Sequence, residues 1–505
     1  MNKYKDDILR YSFFLISIII FIVCLIGGVY WNYAYKLDIS KSNVYIFLIA
    51  CLIFGVILKI IFILNNTIRK LLRVNTNIWI VLISVFFFII QILLVYNYYF
   101  RTGWDSFMVV EGAYILSEHR TLPDWGTNYF SNYPNNLFIM ILFSKIIFIC
   151  KVLGLADFSY FIILIFQSIL NVCTGILIFK VINKLTQTLN LSILGYILYV
   201  VLIGLSPWVS IPYSDSVALV IPVLILYLYI GLKDRQLKYI RIICISSLGV
   251  LGYMLKPQTT IILISVLIVS ILYIEKLYFK KIIKKVSIGL ISILISYVFI
   301  NNFISNENIR INKESEISFT HFIKMGLNNS TDGGYSWDDV NRSKLSKNKE
   351  ERREENIVLI KERVREYGKI GLLKHQIKKT LNNYNDGTFA WSLEGNFYFE
   401  IYKKENKIVN GIRSIYYEKG TNYYIFKYFT QGTWLIILSI QPLNIFIKRK
   451  NMDNNMRVVL LSLIGLFIFE SIFEARARYL YTYVPIFIVS GMIGLNGFIN
   501  WMKKR

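Results

Sequence analysis

The feature that most constrains this chain is a succession of apolar runs, each about 20 residues long, separated by polar or basic stretches. A run of that length crosses the hydrocarbon core of a bilayer as a single helix. A helix also satisfies its own backbone hydrogen bonds where no water is present. The runs lie at 11–30, 45–64, 78–97, 135–152, 159–180, 191–209, 216–232, 242–255, 258–274, 286–303, 425–446, 458–473 and 479–498. The first has no small-residue cleavage site and reads as a retained helix rather than a signal peptide. Of the 505 residues, 55% are hydrophobic and only 17% charged, and the mean hydropathy is +0.51. Those values exclude a soluble enzyme, and equally a disordered or nucleic-acid-binding chain. The net charge of +25 then reads as Lys and Arg gathered in cytoplasmic loops.

That bias selects an orientation. If all thirteen runs cross and the N-terminus is inside, Lys233, Arg235, Lys238 and Arg241 fall outside, with Lys276 to Lys285 and Lys448 to Lys450. If 135–152 instead re-enters or lies along the outer surface, every basic cluster becomes cytoplasmic: 69–73, 180–184, 233–241, 276–285, 448–457 and 503–505. The run invites this reading, since it opens on Tyr133-Pro134-Asn135-Asn136 and carries Lys145 at its middle. The expected fold is an all-α polytopic membrane protein. It has about 12 transmembrane helices plus one re-entrant or interfacial helix, with both termini cytoplasmic. Residues 1–303 form an N-terminal transmembrane region with an outer loop at 98–158. Residues 304–424 form a small extracellular module, and 425–505 the C-terminal helices. A bias toward Ile, Lys, Asn and Tyr suits an AT-rich bacterial genome and hence a bacterial cell membrane.

Polar residues held near membrane depth are functional candidates, and this map collects them on the outer face. Asp105 follows Arg101-Thr102-Gly103-Trp104. A carboxylate there can take a proton from an incoming hydroxyl, or simply cap a helix. The same loop continues to Tyr133 and Pro134, with aromatics and amides suited to sugar stacking or to an interface. Asp215 follows Ser206-Pro207-Trp208 and stands where a helix begins, as a second carboxylate or a second cap. Lys256-Pro257 breaks an apolar stretch, and its lysine either snorkels or holds a lipid phosphate. Glu474-Ala475-Arg476-Ala477-Arg478-Tyr479-Leu480 sets two arginines on the side where positive charge is disfavoured. Planar guanidinium forks suit an isoprenoid phosphate or pyrophosphate. Glu474 can orient one of them, and an interfacial salt bridge is the plainer alternative. In 304–424, His321 and Asp332 are candidates to face a cleft, although a structural role is simpler, and 349–382 reads as a solvated charged helix. The five cysteines lie in or beside apolar runs without zinc or disulfide spacing. No HExxH, P-loop, GxGxxG or GxSxG pattern occurs, so nucleotide-driven chemistry has no support.

Taken in order, these elements resemble the polytopic type-C glycosyltransferases, which include protein O-mannosyltransferases and aminoarabinose lipid A transferases. The resemblance rests on an outer Asp after an early helix, a Tyr-Pro loop, a second Asp after a Ser-Pro element, and the Arg-X-Arg-Tyr-Leu element ahead of a Pro-bearing helix. The chain is similar, more closely, to a group of Gram-positive integral membrane proteins sharing the Glu-Ala-Arg-Ala-Arg-Tyr-Leu segment, Met325 to Asn328, and Gly333 to Tyr335. The resemblance runs from about residue 78 to 498. It implies transfer of a sugar from a polyprenyl-phosphate donor to an acceptor hydroxyl, with inversion, on an envelope glycopolymer, lipid or protein. Asp105 is then the general base, and Asp215 positions donor or acceptor. Arg476, Arg478 and Lys256 hold the departing phosphate, while Trp104, Tyr133, Glu474 and His321 bind substrate. No cofactor is implied, since the donor arrives activated; some relatives use a divalent metal. The expected partners are the lipid-linked sugar, its acceptor and membrane lipids, with no nucleic acid. An envelope polysaccharide polymerase or ligase is a related alternative. A glycolipid flippase or transporter is a more distant one, and it calls for a polar path through helix interiors that are nearly charge-free, with Lys145 and Glu470 the main exceptions.

Overall fold

The computed structural model describes residues 2–27, 43–63, 65–234, 236–273, 279–307, 309–395, 398–401, 406–448 and 452–505. Of the basic residues weighed for orientation, Arg235, Lys276, Arg449 and Lys450 lie outside the described residues. The described structure is mostly helical. Ten helices are long and apolar enough to cross a membrane, and Leu189–Gly204 and Pro257–Leu272 are shorter apolar helices, among the described residues.

In order, α1 is Asn2–Ile22, α2 Asn43–Ile63 and α3 Asn65–Tyr98. The short strand β1 (Phe100–Thr102) leads into α4 (Asp105–Ser117), α5 (Asp124–Asn132) and α6 (Leu137–Val152). Then come α7 (Ser159–Thr186), α8 (Leu189–Tyr199), α9 (Ser214–Ala218), α10 (Val220–Ile230), α11 (Lys238–Leu255), α12 (Ile261–Leu272) and α13 (Phe279–Ser305). The intervening module carries α14 (Phe319–Gly326), α15 (Trp337–Leu345), α16 (Lys349–Tyr384), strand β2 (Tyr398–Ile401) and α17 (Lys407–Tyr416). The chain closes with α18 (Tyr423–Ser439), α19 (Asn454–Ile472) and α20 (Val484–Met502). Several helices are apolar all round: α2 leaves Leu52, Val56 and Ile63 exposed, as a helix in contact with lipid does.

Polar contacts sort the helix ends into two groups. At one end, the Tyr160 hydroxyl donates to the Phe100 carbonyl (2.6 Å), tying the start of α7 to the close of α3. There too, Gln167 donates to the Ile211 carbonyl (3.1 Å), Gln258 to the Tyr479 carbonyl (3.1 Å), and Asn43 to the Cys24 carbonyl (2.6 Å). At the other end, Lys5 donates to the Leu272 carbonyl (2.7 Å), Asp6 pairs with Arg457 (2.8 Å), and Lys233 faces Asp453 (3.7 Å). The helix α6 is exceptional. It belongs to a stretch, Pro134–Val152, that is itself long and apolar enough to cross. Yet Asn136 at its start meets Tyr213, Lys145 at its middle pairs with Glu307, and Lys151 near its end donates to Ser117 and Glu118 (2.9 Å each). Tyr213, Glu307 and the Tyr114–Ser159 contact beside Ser117 all belong to the first end of the bundle. The helix therefore stays at that end, and its lysine is matched to a carboxylate.

Beside the helices, β1 and β2 form a short antiparallel pair, Phe100 opposite Ile401 and Thr102 opposite Tyr398. The pair ties the loop after α3 to the module. The later part of the module packs into the bundle. Tyr384, Phe389 and Trp391 are fully buried in the main hydrophobic core of the bundle. Trp391 packs edge-on to Trp208 (5.4 Å between centroids), and Phe389 edge-on to Trp434 (5.3 Å). The charged helix at 349–382 does form, as α16, kinked where Gly368 takes φ 55°.

Candidate functional site

The site sits where α4, α9, the α11–α12 turn, the module and the segment before α20 meet. The loop 206–213 is held in shape by Gln167, which also accepts from the Tyr213 backbone N–H (3.1 Å). Ser106 donates to the Pro212 carbonyl (2.9 Å), bringing the start of α4 against this loop. Neither aspartate caps its helix. The caps are Trp104 and Tyr213, both extended in backbone, which place Asp105 first and Asp215 second in their helices. Each carboxylate thus stands in a first turn, where the backbone N–H groups favour negative charge.

Asp215 is buried and pairs with Lys256, which is buried too. The Arg478 Nε lies 3.7 Å from its other oxygen. Arg478 Nη1 lies 3.0 Å from Glu394 Oε2, and the same oxygen accepts from Arg476 Nη1 at 3.2 Å. Arg476 Nε donates to Glu474 (2.7 Å), and the Tyr479 hydroxyl donates to the second Glu474 oxygen (3.0 Å). Three cations and three carboxylates therefore form one chain of pairs. Burial works against the charge on Glu394, but Arg476, Arg478 and Lys256 outweigh it and hold its carboxyl below the usual range. Aromatic faces enclose the cations. The Arg478 guanidinium lies 4.5 Å from the Trp104 ring centre, 5.5 Å from Tyr213 and 5.9 Å from Trp208. Arg476 lies over Tyr335 (5.1 Å) and Lys256 over Tyr479 (5.3 Å). One buried donor, Trp104 Nε1, has no hydrogen-bond partner among the described residues.

Asp105 stands apart from this chain of pairs. It is half-buried and hydrogen-bonded by the Tyr129 hydroxyl. Burial first, and then the Asp105 charge, pushes the Tyr129, Tyr133 and Tyr213 hydroxyls up, so all three remain protonated donors. Asn136 links two of them, donating to Tyr129 (2.7 Å) and accepting from Tyr213 (3.2 Å). One half of the site thus offers an acid among phenols, the other a set of cations. Trp104, next in sequence to Asp105 and under Arg478, joins them.

The structure brings together Trp104, Asp105, Tyr133, Asp215, Lys256, Glu474, Arg476 and Arg478. It does not bring His321. That residue is buried in the module, with Nδ1 2.8 Å from the Ser343 hydroxyl. Its expected substrate contact is replaced by a core role, because α14 packs this face against α15 and α16. Burial, and next the Lys324 charge, depresses its pKa to about 3. The unfolded chain therefore takes up a proton near pH 6.5 that the folded module refuses, so this contribution destabilises the fold as pH falls from 6.5 toward 3. His321→Gln is expected to flatten the loss of unfolding temperature between pH 7 and 5; a slope equal to that of wild type would contradict this. Asp332 is likewise structural: it sits at φ 49° and its carboxylate accepts from Lys378 (3.1 Å).

Glu394 was not legible in the sequence. It follows the turn Asp386–Ala390, in which the Asp386 carboxylate accepts from the Thr388 and Ala390 backbone N–H groups (2.8 and 2.7 Å). Phe389 and Ala390 both take positive φ there. The only available hint was that two arginines facing one way call for a second acid besides Glu474. Asp215 faces two cations, and no three His, Cys, Asp or Glu side chains gather as ligands among the described residues.

The chain belongs to a family described as conserved hypothetical integral membrane protein, whose model matches residues 3–497. No curated protein and no solved structure matches it.

Proposed function

We propose, from the premise that the chain is an integral membrane protein of this family, that it is a glycosyltransferase using a polyprenyl-phosphate sugar on the outer face of a bacterial plasma membrane. The observation that carries the reading is the Trp104–Asp105 pair, which sets a carboxylate next to the aromatic ring that Arg478 covers at 4.5 Å. The acceptor oxygen attacks the anomeric carbon from the side opposite the phosphate. The carbon–oxygen bond to phosphate breaks, and its electron pair leaves with the phosphate. The hydroxyl proton passes to the Asp105 carboxylate. The departing charge is met by Arg478, Lys256 and Arg476, preorganised by Asp215, Glu394 and Glu474. Tyr133, Tyr129 and Tyr213 supply hydroxyl donors for sugar oxygens, and the Trp104 face a stacking surface. Lysines at the opposite end of the bundle, among them Lys233, Lys285 and Lys503, support a cytoplasmic assignment for that end.

The test is transfer from radiolabelled polyprenyl-phosphate hexoses and pentoses in membranes carrying the wild-type protein or Arg478→Gln. Wild type is expected to move label into an envelope fraction, and Arg478→Gln to lose about 10²–10³-fold in rate. If wild type consumes no donor in membranes holding native acceptors, the reading fails and polymerisation, ligation or transport takes its place.

A further inference from the structure

A cavity of about 520 Å³ lies at the end of the bundle opposite the candidate site, walled by α10, α11, α12, α13 and the start of α19. Its inner wall is apolar, with Ile242, Leu263 and Val266. Gly289 on α13 keeps it open: a side chain added there would meet the Ser246 hydroxyl at 3.3 Å. Lys285 lines the cavity, and the Lys238 ammonium lies beside it. Two ammonium groups side by side repel each other unless an anion lies between them. Other cations here are already matched. Arg457 is held by both Asp6 oxygens (2.8 and 2.9 Å), and Lys233 faces Asp453 (3.7 Å). Neither Lys238 nor Lys285 has a carboxylate partner among the described residues.

We infer that this cavity binds one anionic phospholipid of the adjoining leaflet, its phosphate between Lys238 and Lys285 and the upper part of one acyl chain against Ile242, Leu263 and Val266. The charge pattern selects the head and the apolar wall selects the tail. A volume of this size is ordinary for a specific small-ligand site. The inference is independent of the sugar-transfer reading, since it concerns the other end of the molecule.

The purified full chain, delipidated in detergent, is titrated with phosphatidylglycerol or phosphatidylcholine. Retained lipid is counted by native mass spectrometry and the unfolding temperature is followed in parallel. Wild type is expected to retain one phosphatidylglycerol and gain a few degrees. Lys238→Gln/Lys285→Gln is expected to weaken retention at least tenfold, and Gly289→Leu to abolish it by filling the cavity. Lys503→Gln/Lys504→Gln, which removes as much charge elsewhere on this end, is expected to retain the lipid. Equal retention of phosphatidylcholine overturns the proposal, as does undiminished phosphatidylglycerol binding by the Lys238/Lys285 variant, which is partly solvent-exposed and expected to fold. The same stabilisation by inorganic phosphate alone assigns the lysines to a free anion and overturns the lipid.

Discussion

Asp105→Asn is expected to lower sugar transfer by about 10²–10⁴-fold, the usual contribution of a positioned general base, while leaving donor retention unchanged. Asparagine keeps the shape of the side chain and still accepts from the Tyr129 hydroxyl, so the turn into α4 survives. It cannot take the proton of the acceptor. The cations proposed to hold the phosphate are a separate set, paired with Asp215, Glu394 and Glu474 rather than with Asp105. Initial rates and donor retention are measured on the same membrane preparations. A variant as active as wild type removes Asp105 from the chemistry, whatever the substrate. A variant that loses donor as well as rate places Asp105 in binding instead.

Lys256→Met is expected to cost about 3–5 kcal/mol of stability, because it strips a buried carboxylate of its closest counter-charge. Asp215 is 2% exposed, and the remaining cation, Arg478, stands 3.7 Å away and is shared with Glu394. Lys256→Met/Asp215→Asn removes both charges and is expected to be more stable than Lys256→Met alone, since no unmatched carboxylate is left. Thermal unfolding in detergent, followed by intrinsic tryptophan fluorescence, measures both variants and Asp215→Asn. If the double variant loses the sum of the two single losses, Lys256 and Asp215 are not coupled and the buried pair is not what holds this corner together.

The fold was legible because its determinant, apolar length, is written continuously in the chain. Among the described residues each of the thirteen runs falls mainly on helix, and 135–152, the one the charge pattern keeps from crossing, is the one whose start, middle and end all make contacts at a single end of the bundle. The strand pair was not legible. Phe100–Thr102 and Tyr398–Ile401 are too short for any alternation to register, and their pairing joins residues far apart in sequence. The site was legible where charge broke the rules for its surroundings, as at Lys256 and Arg478. At His321 residue type alone does not distinguish a buried histidine with a serine partner, as it is in the fold, from one facing a cleft. The glycine motifs turned out to hold the arginine segment in place. Gly333 takes φ 81° and its carbonyl accepts from the Ala475 backbone N–H (2.7 Å). A side chain at Gly326 would come within 2.6 Å of the Phe473 carbonyl.

That docking has a consequence for biogenesis. The ribosome delivers Asp215 and Lys256 to the membrane long before Arg478, and Glu394 only between them. Until the last hairpin inserts and Ala475 docks on Gly333, the aspartate and lysine have only each other, and no arginine closes the circuit of charge. Completion of the polar centre therefore reports that the whole chain has been threaded correctly. A polypeptide truncated before Arg476 lacks both arginines and leaves Asp215, Lys256 and Glu394 as an incomplete set of charges.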